Sequence, residues 1–313
     1  MQLIVNENKK EVKRHGNYEF PVLISHERLS TYDSGSFLCH WHHEIELTYI
    51  LSGSMYYQIN GSVFHLKTND ALFSNSNTLH SGYMYNDMDC SYLSITFDPK
   101  IIFGFENSLI YTKYCEPILH NSFLPYIVFN HSQEWHSEII NHINIIMQLD
   151  DVKENLYEYK IQLELQTIWL KIIEHESEHG KVTQTIDKRD LERIKLILSF
   201  INSNYSQKIS LEDIAKEINL CKSECCRLFK KSMNESLFSY LLHYRIEKSL
   251  PYLIKGTQTI TEIAACVGFD DPNYYAKIFR RFQGCSPHNY RKIHQGSIKV
   301  NTKLNNSRSA TLL

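Results

Sequence analysis

No run of apolar residues in this 313-residue chain approaches the roughly 20 needed to cross a bilayer, which excludes an integral membrane protein. The opening residues, Met1 to His15, hold neither the apolar core nor the small-residue cleavage site of a secretory leader, so an unprocessed, cytoplasmic chain is expected. Cysteine is present but not in a pattern that builds anything. Cys39, Cys90, Cys115, Cys221, Cys225, Cys226, Cys266 and Cys285 are expected to be free thiols in a chain without a leader. Near Cys221, Cys225 and Cys226 no second Cys/His pair stands at zinc spacing, so packing is their expected role. The sequence also lacks a nucleophile-and-base signature and a paired-carboxylate signature, and no catalytic residue and no cofactor are expected.

What is there is unevenly distributed. The net charge of -2 conceals two opposite parts: from Asp187 onward 21 Lys plus Arg stand against 12 Asp plus Glu, about +9, which leaves about -11 for the rest. Such asymmetry suggests that one part faces a polyanion and the other does not.

The basic part says one thing twice. Ser210-Leu-Glu-Asp-Ile-Ala-Lys-Glu-Ile-Asn-Leu, followed by Lys222 to Lys231, is echoed by Thr259-Ile-Thr-Glu-Ile-Ala-Ala-Cys-Val-Gly-Phe, followed by Asn273 to Arg281. Phe229 answers to Phe279 and Tyr240 to Tyr290, a self-match at a period of about 50 residues. Each copy opens with a capping box (Ser210 with Asp213, Thr259 with Glu262), which satisfies the orphan amides of a first helical turn. Asn219 or Gly268 follows where a tight turn needs a left-handed residue. A second helix then turns Cys225, Leu228 and Phe229, or Tyr275, Ile278 and Phe279, inward at three- and four-residue spacing. Ser223, Cys226, Arg227 and Lys230 point outward in the first copy, and Asn273, Ala276, Lys277 and Arg280 in the second. Either copy alone would also fit an ordinary amphipathic helix pair. Two in tandem, each with the same cap, turn and basic end, argue for helices that lie in the major groove.

The run Ile263-Ala264, Val267-Gly268-Phe269-Asp270, Tyr274-Tyr275, Phe279-Arg280-Arg281-Phe282, Gly284, Ser286-Pro287 and Tyr290-Arg291 resembles the signature of AraC/XylS-type transcriptional regulators. The resemblance implies two helix-turn-helix units joined by one linker helix, each reading a groove segment of the same duplex. Arg227 is the first candidate for a base contact, with Ser223, Cys226, Asn273 and Lys277 next. Lys222, Lys230, Lys231, Arg280 and Arg281 are candidates for phosphate contacts. Asn234 replaces the usual Gly, and Pro251 falls inside the expected linker helix (237–254), where a kink is expected.

Ahead of this part, from Tyr18 to about Phe97, short alternating runs broken by turn residues predict an antiparallel β domain. Residues 45–50 alternate cleanly, 52–54 turn the chain, 55–59 return, and Asn60-Gly61 is a hairpin signal. Then come 63–66, the turn 68–70 and 71–73, a spacing that suits a small barrel or sandwich. His40, His42, Glu46 and the later His80 resemble the residues of the two cupin motifs. In metal-dependent cupins those positions are ligands; here an effector-binding role is preferred to a metal, because Asn69 replaces a Gly and no Pro precedes His80. Such an interior suits a small polar effector such as a sugar, with Tyr49, Tyr56 and Tyr57 as candidate stacking faces and Trp41 turned away.

From about Gln133 the periodicity becomes helical, over 133–149 and 153–178. The second helix carries two apolar seams, one of Leu156, Tyr159, Leu163, Leu170 and Ile173, the other of Ile161, Leu165, Ile168, Trp169 and Ile172. A helix apolar on two sides needs two partners, here the β domain and the same helix of a second chain. Residues 1–16 are read as loosely held, 175–184 as polar linker sequence, and 190–202 as the first helix of the DNA-binding part.

The resulting architecture is α+β and multidomain: a cupin-like effector-binding β-barrel domain (17–130), a helical dimerisation segment (131–179), a linker (180–187), a tandem helix-turn-helix domain (188–295) and a disordered tail (296–313). The function expected is a sequence-specific, effector-controlled regulator, a homodimer on promoter DNA, contacting RNA polymerase if it activates, with no membrane partner. Two alternatives stand beside it: a metal-dependent cupin isomerase or dioxygenase, and a DNA-binding protein whose barrel only dimerises.

Overall fold

The computed structural model describes residues 3–6, 9–32, 34–121, 124–179, 188–233 and 235–293. Contacts divide the chain into two compact units, residues 1–195 with 232–234, and residues 196–231 with 235–313.

The described strands of the first unit are β1 (Val22–Arg28), β2 (Ser36–His40), β3 (Ile45–Ser52), β4 (Ser54–Ile59), β5 (Ser62–Lys67), β6 (Ala71–Ser74), β7 (His80–Met84), β8 (Ser91–Phe97) and β9 (Tyr126–Phe129). They form two antiparallel sheets, in the orders β1-β8-β3-β6-β9 and β2-β7-β4-β5. The sheets stay distinct instead of joining into one hydrogen-bonded cylinder. The expected turns fall in place: Gly53, Asn60, Gly61 and Asn69 all have positive φ, the backbone a two-residue reversal or a left-handed corner requires.

Period-two alternation assigns the two faces of the larger sheet. Ile45, Leu47 and Tyr49 of β3, Leu93, Ile95 and Phe97 of β8, and Ala71 and Phe73 of β6 join one apolar cluster with the helices. Ile50, Leu72 and Tyr92 point the other way and meet Phe37, Met55, Tyr57, Ile59 and Leu66 of the smaller sheet. Between β8 and β9, among the described residues, lie two one-turn α-helices, α1 (Lys100–Phe103) and α2 (Glu116–Leu119), with a π-helical turn (Tyr111–Cys115) between them; after β9 come α3 (Glu134–Val152) and α4 (Tyr157–His179). The second α4 seam, Ile161, Leu165, Ile168, Trp169 and Ile172, is buried in the cluster under the larger sheet. Ile173 packs there as well, not on the first seam where its spacing put it. Helix α4 runs on to His179, so 175–179 is helical and not linker; residues 180–187 and the tail lie outside the described residues.

Helix α5 (Lys188–Asn204) leads into the second unit, followed by α6 (Leu211–Glu217), α7 (Lys222–Met233), α8 (Leu237–Lys255), α9 (Ile260–Cys266) and α10 (Pro272–Gln283). Both predicted capping boxes are formed, with Ser210 accepting from the Asp213 amide and Thr259 from that of Glu262. Helix α8 is continuous through Pro251 over Leu237–Lys255, so the proline does not break the linker helix. Asn234 is not among the described residues. Among the described residues no helix is long and apolar enough to cross a membrane.

Candidate functional site: a repeated helix-turn-helix and a buried histidine cluster

The internal repeat is a repeat in space. Leu220 donates its amide to Ala215 (3.0 Å) and Phe269 to Ala264 (2.9 Å), the same turn-closing bond in each copy. Asn219 and Gly268 supply the left-handed residue, at φ 53 and 90. One extra residue then enters the second copy, so the offset grows from 49 at the turns to 50 along the second helices; Asp271 uses it to cap α10 by accepting from the Asn273 amide. Phe229 meets Tyr240 edge-on at 5.5 Å, and Phe279 meets Tyr290 edge-on at 5.5 Å. Arg245 of α8 donates to the carbonyls of Tyr205 and Gln207, both at 2.7 Å, just past the end of α5, and its guanidinium lies over the Phe269 ring of the second copy at 5.7 Å.

This scaffold fixes which side chains of α7 and α10 remain available. Cys225, Leu228 and Phe229 are buried, as are Tyr275, Ile278 and Phe279. Lys222, Ser223, Arg227, Lys230 and Lys231 are exposed on α7, and Asn273, Lys277, Arg280 and Arg281 on α10; Cys226 and Ala276 are half-buried. Along Cys225–Lys230 and Tyr275–Arg280 the sequence of buried and exposed positions is identical. Lys222 is paired with Glu212 (3.1 Å), which occupies its charge within the unit, and Ser223 Oγ meets Cys221 Sγ at 3.0 Å. Burial pushes the Cys225 thiol up to about 11, as expected of a packed sulfur.

The second cluster lies between the sheets of the first unit. His40 ends β2, His80 begins β7, and the two are register partners, which brings their rings to 4.2 Å. His42 stands in the β2–β3 connection and not on a strand, so strand alternation does not aim it. Its carbonyl accepts from the Asn77 amide (2.9 Å), and its Nδ1 donates to the Glu44 carbonyl (3.1 Å). Glu46, on the inner face of β3, completes the group. All four are buried. Of the candidate stacking residues only Tyr57 belongs to this interior, donating its hydroxyl to Glu46 (3.3 Å). Tyr49 sits in the helix-side cluster, and Tyr56 is grouped with His65, Tyr83 and Tyr85.

Two further members come from residues 9–16, which the sequence suggested were loosely held. The segment is tied down instead: Glu11 donates its amide to the Trp41 carbonyl (2.9 Å), and Trp41 donates to that of Lys9 (3.1 Å). His15 is buried between Glu11 (3.0 Å) and Glu44 (3.3 Å). Burial alone would lower its pKa, but the bonds to the two carboxylates outweigh that and hold it at about 9, so His15 is an imidazolium. Desolvation likewise opposes ionisation of Glu44 and is overcome by His15, leaving Glu44 at about 2. By contrast, burial and the neighbouring imidazoles lower His40, and burial first of all takes His80 down to about 4, so both rings are neutral. The cavity beside His40 and Glu46 measures about 40 Å³ and is lined also by Glu11, His15, Tyr92 and Thr96. The spacing Glu11-x3-His15 was the only sequence signal for the two added groups, and it lay in a polar stretch with no periodicity.

A buried polar interior carried by a two-sheet domain, followed by two repeated helix-turn-helix units, defines a DNA-binding transcription regulator with a ligand-binding domain. Residues 28–148 match the AraC-like ligand-binding domain and residues 214–293 match a helix-turn-helix domain. An uncharacterised HTH-type transcriptional regulator of Bacillus subtilis, YdeC, is 31% identical over 295 residues, 93% of this chain and 98% of that one. The melibiose operon regulatory protein of Escherichia coli is 21% identical over 267 residues (82% and 84%). The lactose operon transcription activator of Staphylococcus xylosus is 35% identical over 100 residues, 32% of this chain and 36% of that one. The chain belongs to the AraC-type helix-turn-helix transcriptional regulators.

Proposed function

We propose that this chain is an effector-controlled, sequence-specific regulator that reads promoter DNA through α7 and α10 as a homodimer. The observation that carries this reading is the matched pattern of buried and exposed residues on the two helices, which leaves a small-and-basic face on each. Arg227 is the leading base-reading residue, supported by its exposure at the centre of the α7 face; Ser223, Cys226, Asn273 and Lys277 flank it or hold the equivalent face of α10. Lys230, Lys231, Arg280 and Arg281 suit phosphate, with Lys222 a weaker member because Glu212 already pairs it.

The effector is assigned to the interior around His40, His42, Glu46 and His80. A carbohydrate is the class favoured by the names of the melibiose and lactose operon relatives and by the polar, aromatic-flanked lining. Glu11, Lys13 and His15 line the cavity of about 40 Å³ beside His40 and Glu46, and effector entry is assigned to movement of residues 9–15. The pairing surface is assigned to the first seam: Tyr159, Leu163 and Leu170 of α4, with Leu156 just ahead of the helix at φ 70, are all exposed, Tyr159 at 62% and Leu170 at 53%. An exposed apolar stripe, interrupted at Gln166, on a helix whose other face is already packed suits a second copy of itself. The proposed division is an effector domain over 17–130, a pairing segment over 131–179, a linker over 180–187, the DNA-binding domain over 188–295 and a tail over 296–313.

Footprinting on the chain's own upstream region, with and without melibiose, lactose or raffinose, tests the reading. A protected pair of half-sites whose occupancy shifts with one sugar is expected. No protection at modest ionic strength would refute the DNA reading, and calorimetric silence towards every sugar would refute the carbohydrate class.

A further inference from the structure

A second cavity of the first unit, of about 330 Å³, shares no residue with the histidine cluster. Small-molecule sites span roughly 300–1,000 Å³, and every residue that lines this cavity belongs to the first unit. One wall is a connection that its own side chains hold in place. Residues 75–79 join β6 to β7, and Asn75 is fully committed there: its Nδ2 donates to the carbonyls of Ile118 (2.8 Å) and Leu124 (2.9 Å), and its Oδ1 accepts from the Ser76 amide (2.8 Å). Ser76 Oγ donates its single proton to the His43 carbonyl, so its 2.8 Å bond to Asn77 is one it accepts from Asn77 Nδ2. That fixes the Asn77 amide and leaves its Oδ1 an acceptor with no hydrogen bond among the described residues. Thr78 Oγ1 donates to the Asn75 carbonyl (2.8 Å) and keeps its lone pairs. Asn60 Oδ1 accepts from the Leu79 amide (3.1 Å), which leaves its Nδ2 an unused donor. Asn60, Asn77 and Thr78 all line the cavity.

The same cavity is lined by a lysine whose charge the fold compensates poorly. Lys195 is only 8% exposed, and its Nζ stands over the Trp41 ring at 3.9 Å, so that ring already serves a cation. Lys10 Nζ lies over the same ring at 5.6 Å. Among the described residues the carboxylate paired with Lys195 is that of Glu192, at 3.5 Å and one turn back on α5, on a side chain 61% exposed. A pair so long and so well hydrated contributes little. Burial pulls Lys195 below the ordinary lysine value against the effect of Glu192, and Lys10 adds to the fall. A buried ammonium, one unused amide donor and two acceptors, set beside Leu119, Pro125 and Leu191, ask for a ligand with a negative charge, hydroxyl groups and a carbon skeleton. We infer that this cavity binds a small hydroxylated carboxylate, of the aldonic- or uronic-acid kind, whose carboxylate meets Lys195 and whose hydroxyls bond to Asn60, Asn77 and Thr78. A neutral sugar would leave the Lys195 charge as poorly compensated as before. The site is separate from the histidine interior and does not depend on the effector reading given to it.

Titration of the full chain, without DNA, with gluconate, glucuronate and galacturonate tests the site, with glucose and galactose as neutral counterparts. Trp41 lines the cavity, so occupancy should change tryptophan emission, and Trp41→Phe should abolish that change while Trp135 and Trp169 remain. At least one acid should bind at one equivalent per chain by calorimetry, about tenfold or more tighter than its neutral counterpart. Lys195→Met keeps the length and removes the charge, and should weaken the acid about tenfold or more; Lys195→Arg should retain most of the affinity. Asn60→Asp keeps the acceptor for the Leu79 amide but replaces the donor with a negative charge, and should weaken the acid to a similar extent. Lys67→Met, at an exposed lysine outside the cavity, should change nothing, and unfolding midpoints identify any variant that fails to fold. Neutral-sugar binding that Lys195→Met leaves unaltered reports on the histidine interior, so the two readings fail separately. No binding of any of the three acids, equal binding of acid and neutral sugar, or unchanged acid affinity in Lys195→Met would overturn the site.

Discussion

Gly268→Ala and Asn219→Ala alter equivalent turns in the two helix-turn-helix copies, yet the structure predicts unequal costs. Both positions are left-handed, at φ 53 for Asn219 and 90 for Gly268. For an alanine that conformation costs about 1–2 kcal/mol. Asn219 already carries a Cβ, so its replacement adds no atom near the backbone and should cost about 1 kcal/mol. A Cβ on Gly268 would stand 2.5 Å from the Tyr205 carbonyl oxygen and 3.0 Å from the Arg245 guanidinium carbon. That oxygen is backbone and is already held by Arg245 Nε, so it does not swing aside. Overpacking of this kind adds about 1–3 kcal/mol. The lower entropy of the unfolded alanine chain returns only about 0.4–1 kcal/mol. Gly268→Ala should therefore cost about 2–4 kcal/mol, well above Asn219→Ala. Urea unfolding followed by far-ultraviolet circular dichroism measures the difference. Trp41, Trp135 and Trp169 all belong to the first unit, so tryptophan fluorescence monitors the other domain and should not move. Equal losses in the two variants would refute the claim that close approach, and not conformation alone, selects glycine at 268.

Arg227→Ala should cost about 1–3 kcal/mol of operator affinity and relax preference at one base pair, whereas Lys230→Ala should weaken all sequences alike; gel retardation on operator and random DNA decides, and equal losses from Arg227→Ala would remove it from base reading. Leu163→Glu with Leu170→Glu should convert a dimer to a monomer in sedimentation while leaving the fluorescence unfolding midpoint within about 0.5 kcal/mol, since both side chains are already exposed. A monomeric wild type would sink that surface. Thr259→Ala removes the acceptor for the Glu262 amide and should destabilise the second unit by about 1 kcal/mol, read by the same urea titration.

The C-terminal unit was legible because its determinants are local. A capping box, a left-handed turn residue and a three- and four-residue apolar spacing each act within one or two helical turns, so Ser210, Asn219 and Phe229 announce their structure in sequence order. The hairpin at Asn60-Gly61 and the alternation of β3 are local in the same sense. Helix α4 was half legible: its two seams could be counted, but which one packs on the larger sheet is a long-range matter, and Ile173 went with the buried one.

The histidine cluster marks the limit of that kind of reading. His40, His42, Glu46 and His80 could be picked out by likeness, but not what aims His42, which Asn77 and Glu44 hold from a loop. Glu11 and His15 sit in a polar stretch that propensity leaves unassigned, and only the tertiary fold lays it beside Trp41 and makes His15 a buried imidazolium. The sequence by itself determined the repeated DNA-reading units, because short-range hydrogen bonds and helical spacing are written residue by residue. The tertiary structure alone decided which donors converge on one buried point, because that depends on strand register and loop anchoring between residues far apart in the chain.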